Sequence, residues 1–217
     1  MISNNFKKRS ITSFFLLLLL TLIIFYEPIF LYVLIIIGVI SFLEFSKILN
    51  KITQNDFSRT IYNIFFFIYI FIFSSLLFFF SNFIQLKIIM FTLIFTCVAS
   101  DIGGYIFGNI FKGPKITKIS PNKTISGLIG SLMSSCIIFV LLIFYTTNVF
   151  NSVLFLTGIF TSIFCQLGDL FFSLLKRKAN IKDTGNFLPG HGGILDRIDG
   201  ILLGVPAGFV FLLIFLN

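Results

Sequence analysis

Residues 11–45 read ITSFFLLLLLTLIIFYEPIFLYVLIIIGVISFLEF, and across them only Glu27 and Glu44 carry a charge. A helix needs ~20 predominantly apolar residues to cross ~30 Å of hydrocarbon. This stretch holds two such runs, separated at Glu27-Pro28. Comparable runs recur along the chain, from about Ile61 to Phe80, Phe83 to Phe107, Gly127 to Tyr145, Val149 to Leu167 or beyond, and Ile198 to Leu216. With Ile11 to Tyr26 and Ile29 to Phe45 they predict an all-α, polytopic transmembrane helix bundle of about seven spans. Composition agrees: a soluble globule carries ~25% charged residues, whereas this chain has 11%, with 57% hydrophobic residues and a mean hydropathy of +1.07. The basic start followed by an apolar run resembles a signal peptide. No small-residue cleavage site follows, however, so an uncleaved first helix is expected.

Lys and Arg set the orientation. Fifteen of the 16 basic residues fall in alternate connections, around Lys7, Lys47, Lys112 and Lys176, and only Lys87 falls on the other side. The fifteen-residue side, with the amino terminus and every substantial loop, is expected in the cytoplasm. The net charge of +8 therefore records membrane orientation and does not point to a nucleic-acid partner. Cys97, Cys136 and Cys165 lie far apart in apolar segments, where thiols act as small hydrophobes. With one histidine and no CxxC pair, the usual zinc site is excluded.

The eight acidic residues divide in two. Glu27, Glu44 and Asp56 are expected at helix ends or in a loop, solvated. Asp101, Asp169, Asp183, Asp196 and Asp199 are expected at one depth, on the cytoplasmic membrane edge. A carboxylate inside a span costs roughly 2.5–3.5 kcal/mol on insertion scales, so it has a partner or a task. A purely structural alternative pairs Asp169 with Arg197. It leaves the i, i+3 spacing of Asp196 and Asp199 unexplained, and that spacing suits two carboxylates sharing a cation. Magnesium, which takes one or two carboxylates plus substrate phosphates, is the expected ion at Asp196 and Asp199.

The neighbouring residues suit phosphate. Lys176, Arg177, Lys182 and Arg197 supply positive charge. Gly190, Gly192 and Gly193 let backbone N–H groups form an anion nest, and a helix starting just after them adds its dipole. The run from Asp101 to Gly127 is not a Walker loop, since neither Gly108 nor Gly113 precedes Lys-Ser or Lys-Thr. Ser120, Lys123 and Thr124 still offer hydroxyl and ammonium donors beside a helix start, a second candidate phosphate contact.

Read together, Ser173, Lys176, Arg177, Lys182, Asp183, His191-Gly192-Gly193, Asp196, Arg197 and Asp199 meet every fixed position of a long signature. In these residues the chain resembles the phosphatidate cytidylyltransferases, or CDP-diacylglycerol synthases. The QLGDL run with Asp169 and the ISPNKT run from Ile119 to Thr124 also resemble family motifs. The chain departs at Ser126, where the family usually has Glu, at Asn109, where a basic residue is usual, and at Gly104 in place of Ala.

The resemblance implies transfer of CMP from CTP (or dCTP) to phosphatidic acid, releasing pyrophosphate. It implies residues 1–100 as amino-terminal transmembrane helices and 101–217 as a catalytic transmembrane region with two cytoplasmic motif loops. Catalysis would fall to Asp169, Lys176, Arg177, His191, Asp196, Arg197 and Asp199. Ser120, Lys123, Thr124, Lys182, Asp183, Gly192 and Gly193 would bind substrate. Magnesium held by Asp169, Asp196 and Asp199, with a second cation such as potassium, a homodimer and a bacterial-type inner membrane are further expectations. Alternatives are a CTP-dependent lipid kinase or other lipid-nucleotide transferase, or a transporter using Asp101 and Asp169 as cation sites. The paired broken helices of many transporters are not found.

Overall fold

The structure is a computed structural model that describes residues 18–19, 21–117, 120, 123–185, 187 and 192–215. Among these, six long helices follow a short helical stretch at 21–25: α1 (Glu27–Ile52), α2 (Asp56–Ser81), α3 (Ile84–Phe111), α4 (Ile125–Thr147), α5 (Ser152–Lys178) and α6 (Leu195–Phe215). All six are long and apolar enough to cross a membrane. They match the last six expected spans. The first span lies largely outside the described residues.

Helix ends follow local chemistry. Pro28 opens α1, where its missing N–H would be unpaired in any case. Asn55 caps α2 by accepting from Phe57 N at 3.0 Å, and Thr124 caps α4 by accepting from Gly127 N at 3.2 Å. Lys112 and Gly113, with φ of 51° and 119°, end α3, and Asn148 ends α4 in the left-handed region. Lys176, Arg177 and Lys178 extend α5 past the expected Leu167, because cations in a last turn complement the helix dipole.

Contacts divide the chain into two compact units. One contains α1 and α2 with Leu175–Ile198. Here the rings of Phe45 and Phe66 stack with centroids 3.9 Å apart, and Ile48, Leu49 and Leu77 are buried beside α1 and α2.

The other unit contains Phe83–Leu174 and the chain from Asp199 onward. Without a hydrophobic effect between helices in lipid, small residues let backbones approach. A Cβ on Gly103 would lie 2.7 Å from the Gly130 carbonyl oxygen, and one on Gly127 2.8 Å from that of Gly104. Ser134 Oγ joins the same α3–α4 seam by donating to the Ala99 carbonyl at 2.8 Å. Gly200, Gly204 and Gly208 recur every four residues on α6 and face Cys165, Cys97 and Leu93. Gly103→Ala is expected to destabilise the protein by ~1–3 kcal/mol, the range for overpacking a close contact. Thermal unfolding in detergent measures this, and an unchanged midpoint would contradict such close packing.

Candidate active site

The described candidate residues form two polar clusters, one in each unit. In the first unit, Lys176 stands in the last turn of α5 and Asp196 in the first turn of α6. Lys176 Nζ lies 2.6 Å from Asp196 Oδ1, and the two side chains are 13% and 9% exposed. Asp196 Oδ2 accepts from Thr184 N at 2.8 Å and Gly193 N at 3.2 Å, and Thr184 Oγ1 lies 3.0 Å from it. Gly192 has φ of 83°, a conformation that favours glycine and turns the chain toward Asp196. Asp196, expected as a metal ligand, is thus a carboxylate whose two oxygens already face donors of the protein.

Glu44 corrects the sequence reading more sharply. It was expected to be solvated, yet it is 4% exposed. Its Oε2 accepts from Thr184 Oγ1 at 2.7 Å and Leu195 N at 2.9 Å, and its Oε1 accepts from Ile194 N at 3.1 Å. Gly193 makes the approach possible: a Cβ there would stand 2.5 and 2.8 Å from the two carboxylate oxygens. Of the expected nest, the backbone N–H of Gly193 is thus engaged by Asp196, and those of Ile194 and Leu195 at the start of α6 are engaged by Glu44. The signal for Glu44 was present, an acid next to an apolar run. Helix α1 continues to Ile52, so Glu44 lies within the helix, on the face of buried Ser41 and Ile48.

Around this buried network the cationic groups Arg177, Lys182 and Arg197 are exposed, as is Asp183. His191, given a catalytic role above, and Gly190 of the expected nest lie outside the described residues.

In the second unit, a loop brings the other motifs together. Ile116 N donates to the Lys123 carbonyl at 3.0 Å, Ile125 N to that of Pro114 at 3.0 Å, and Lys123 N to that of Ser120 at 3.1 Å. Ser126, the departure from the usual Glu, donates its hydroxyl to the Lys112 carbonyl and so ties the loop to the end of α3. Lys123 Nζ then reaches Asp169 Oδ2 of the QLGDL run at 2.5 Å. Asp169 has Lys123 as an ion-pair partner, which the structural alternative with Arg197 did not anticipate. Ser120, Lys123, Thr124, Gln166, Asp169 and Asp101 line one cavity of about 290 Å³. Asp199 is 7% exposed and accepts from Gly200 N at 2.9 Å.

Among the described residues, no three His, Cys, Asp or Glu side chains gather as a metal-binding group. The oxygen donors of Asp101, Asp169, Gln166 and the cavity hydroxyls are nonetheless of the hard type that magnesium takes.

The sequence model of the cytidylyltransferase family matches residues 10–215. The chain belongs to that family. Its curated relatives include three proteins named phosphatidate cytidylyltransferase. The one from Staphylococcus haemolyticus (strain JCSC1435) is 47% identical over 109 residues, 49% of this chain and 42% of the relative. The one from Rickettsia bellii (strain RML369-C) is 42% identical over 146 residues, 63% of this chain and 62% of the relative. The one from Mycobacterium leprae (strain TN) is 42% identical over 114 residues, 52% of this chain and 36% of the relative. The chain thus spans less than two thirds of the length of each of these three relatives. The family resemblance read from Ser173 to Asp199 is borne out.

Proposed function

We propose that this cytidylyltransferase family member transfers CMP from CTP to phosphatidate at a membrane, forming CDP-diacylglycerol and pyrophosphate. The observation that carries the reading is the meeting of two separate family motifs, through Lys123 and Asp169, at one polar cavity among apolar helices.

The chemistry needs no strong base. The second pKa of a phosphate monoester is ~6, so the attacking phosphatidate oxygen is already anionic at neutral pH. It attacks the α-phosphorus of CTP, and the bond to the β-phosphate oxygen breaks with pyrophosphate as leaving group. The obstacle is repulsion between two polyanions, which cationic groups relieve electrostatically. Lys123, Ser120 and Thr124 would bind phosphate oxygens in the cavity, and exposed Arg177, Lys182 and Arg197 would add positive charge toward the polyanionic substrates. Magnesium would be held by Asp169 with Asp101 and would supply charge neutralisation on the triphosphate. Asp196 would set the geometry of the signature loop. The clustering of basic residues in alternate connections supports a cytoplasmic face for these groups, with the acyl chains remaining in the bilayer. A homodimer and acceptance of dCTP belong to the same reading.

The test uses purified full chain in detergent with magnesium, phosphatidate and CTP labelled on either the α- or the γ-phosphate. Label from the α position is expected in the lipid fraction. Lipid label from the γ position would replace this reading with a kinase.

A further inference from the structure

Helix α1 carries none of the signature residues, yet its Glu44 enters the signature loop from within a membrane-spanning helix. A buried carboxylate survives only with enough donors, and Glu44 has three, all from residues 184–195. Two are the backbone N–H groups of Ile194 and Leu195 at the start of α6, where a negative charge is favoured by the helix dipole. The third is Thr184 Oγ1. That hydroxyl has one proton and lies within hydrogen-bond distance of two carboxylates, Glu44 Oε2 at 2.7 Å and Asp196 Oδ2 at 3.0 Å. The shorter contact takes the proton to Glu44, while Asp196 keeps the backbone N–H of Thr184 and the ammonium of Lys176. Each link in the chain Glu44–Thr184–Asp196–Lys176 thus fixes the next. Gly185 and Gly193 belong to this arrangement, since a Cβ at either would run into the Glu44 carboxylate.

We propose that Glu44 is a positioning residue for CMP transfer: it anchors Thr184 and the start of α6 to α1 and thereby sets Asp196 and Lys176. This rests on the proposed function. Glu44 does not touch substrate in this assignment. It acts through the loop, so its loss lowers turnover without a matching loss of CTP affinity.

The experiment compares the full-length wild type, Glu44→Gln and Asp56→Asn in detergent. Asp56 is a suitable control because its side chain is 84% exposed and pairs only locally with Arg59. In Glu44→Gln the amide nitrogen faces a donor, whichever way the group is turned. Hydrogen exchange across residues 184–197 is expected to rise at least ~10-fold, while that of Asp56–Ser81 stays unchanged, as for local opening of one segment. Turnover is expected to fall at least ~10-fold with KM for CTP within ~3-fold, the pattern of lost positioning. Asp56→Asn should match the wild type in every readout. Unchanged exchange at 184–197, or raised exchange with intact turnover, overturns the proposal. If Glu44→Gln does not accumulate folded, Thr184→Val serves, with exchange expected to rise at least ~3-fold and unchanged exchange again overturning it. A wild-type chain that transfers no CMP overturns the proposed function and leaves the anchoring to be decided by exchange alone.

Discussion

Asp196→Asn is expected to lower CMP transfer at least ~100-fold, the scale of misplacing a reacting group by ~1 Å, and to lower the unfolding midpoint as well. The two effects have one origin. One Asp196 oxygen faces the Lys176 ammonium and the other receives Thr184 N and Gly193 N. An amide in either orientation sets an NH₂ group against donors. It also leaves Lys176 as an uncompensated charge at a site where both side chains are largely buried. Breaking one partner of a buried pair costs about 3–5 kcal/mol.

The double variant Lys176→Met, Asp196→Asn separates structure from chemistry. Neutralising both members removes the stranded charge, so part of the lost stability should return, in the manner of coupled sites. Turnover should not return. Parallel measurements of lipid labelling and detergent unfolding decide the matter, and a well-folded Asp196→Asn protein with wild-type turnover would remove Asp196 from the account.

Asp169→Asn should behave differently, with turnover again down at least ~100-fold but the unfolding midpoint nearly unchanged. Its pair with Lys123 lines a cavity, and the side chains are 32% and 23% exposed. Pairs that water reaches contribute ~0–1 kcal/mol, so losing this one should be nearly silent in stability. What is lost is an oxygen donor in the cavity where phosphates and magnesium are proposed to meet. Lys123→Met is the companion and should lower kcat/KM for CTP at least ~10-fold through lost phosphate binding. If Asp169→Asn unfolds readily while its folded fraction turns over normally, the pair is structural and the cavity assignment fails.

The contrast between these two aspartates shows what the sequence could and could not reveal. The helices were legible because a backbone inside lipid must satisfy its own hydrogen bonds, and runs of apolar residues near 20 long leave little choice but helix. Their ends were less so. Lys47, Asn50 and Lys51 look like the close of a span, yet α1 carries them to Ile52, and this hid Glu44 as a seemingly solvated acid.

The signature residues were visible because they sit within one short run. Their partners were not. The hydroxyl that meets Glu44 lies 140 residues away, and the N–H of Leu195 lies 151 away. Periodicity along one helix carries no information about such pairings. The ion pair of Asp169 was out of reach for the same reason: Lys123 comes from the loop after α3, 46 residues earlier in the chain. The anion nest was a reasonable inference from glycines before a helix, but it overlooked that the protein supplies its own anions there.

The central claim is that a phosphatidate oxygen attacks the α-phosphorus of CTP. It is tested most directly with phosphatidate carrying ¹⁸O at its three non-bridging phosphate positions, incubated with purified chain, CTP and magnesium and followed by mass spectrometry. The account predicts CDP-diacylglycerol retaining all three labelled oxygens, one of them now bridging to the cytidylyl phosphorus, and pyrophosphate without label. Labelled pyrophosphate, a lipid product heavier by only a phosphoryl group, or unreacted phosphatidate would contradict it.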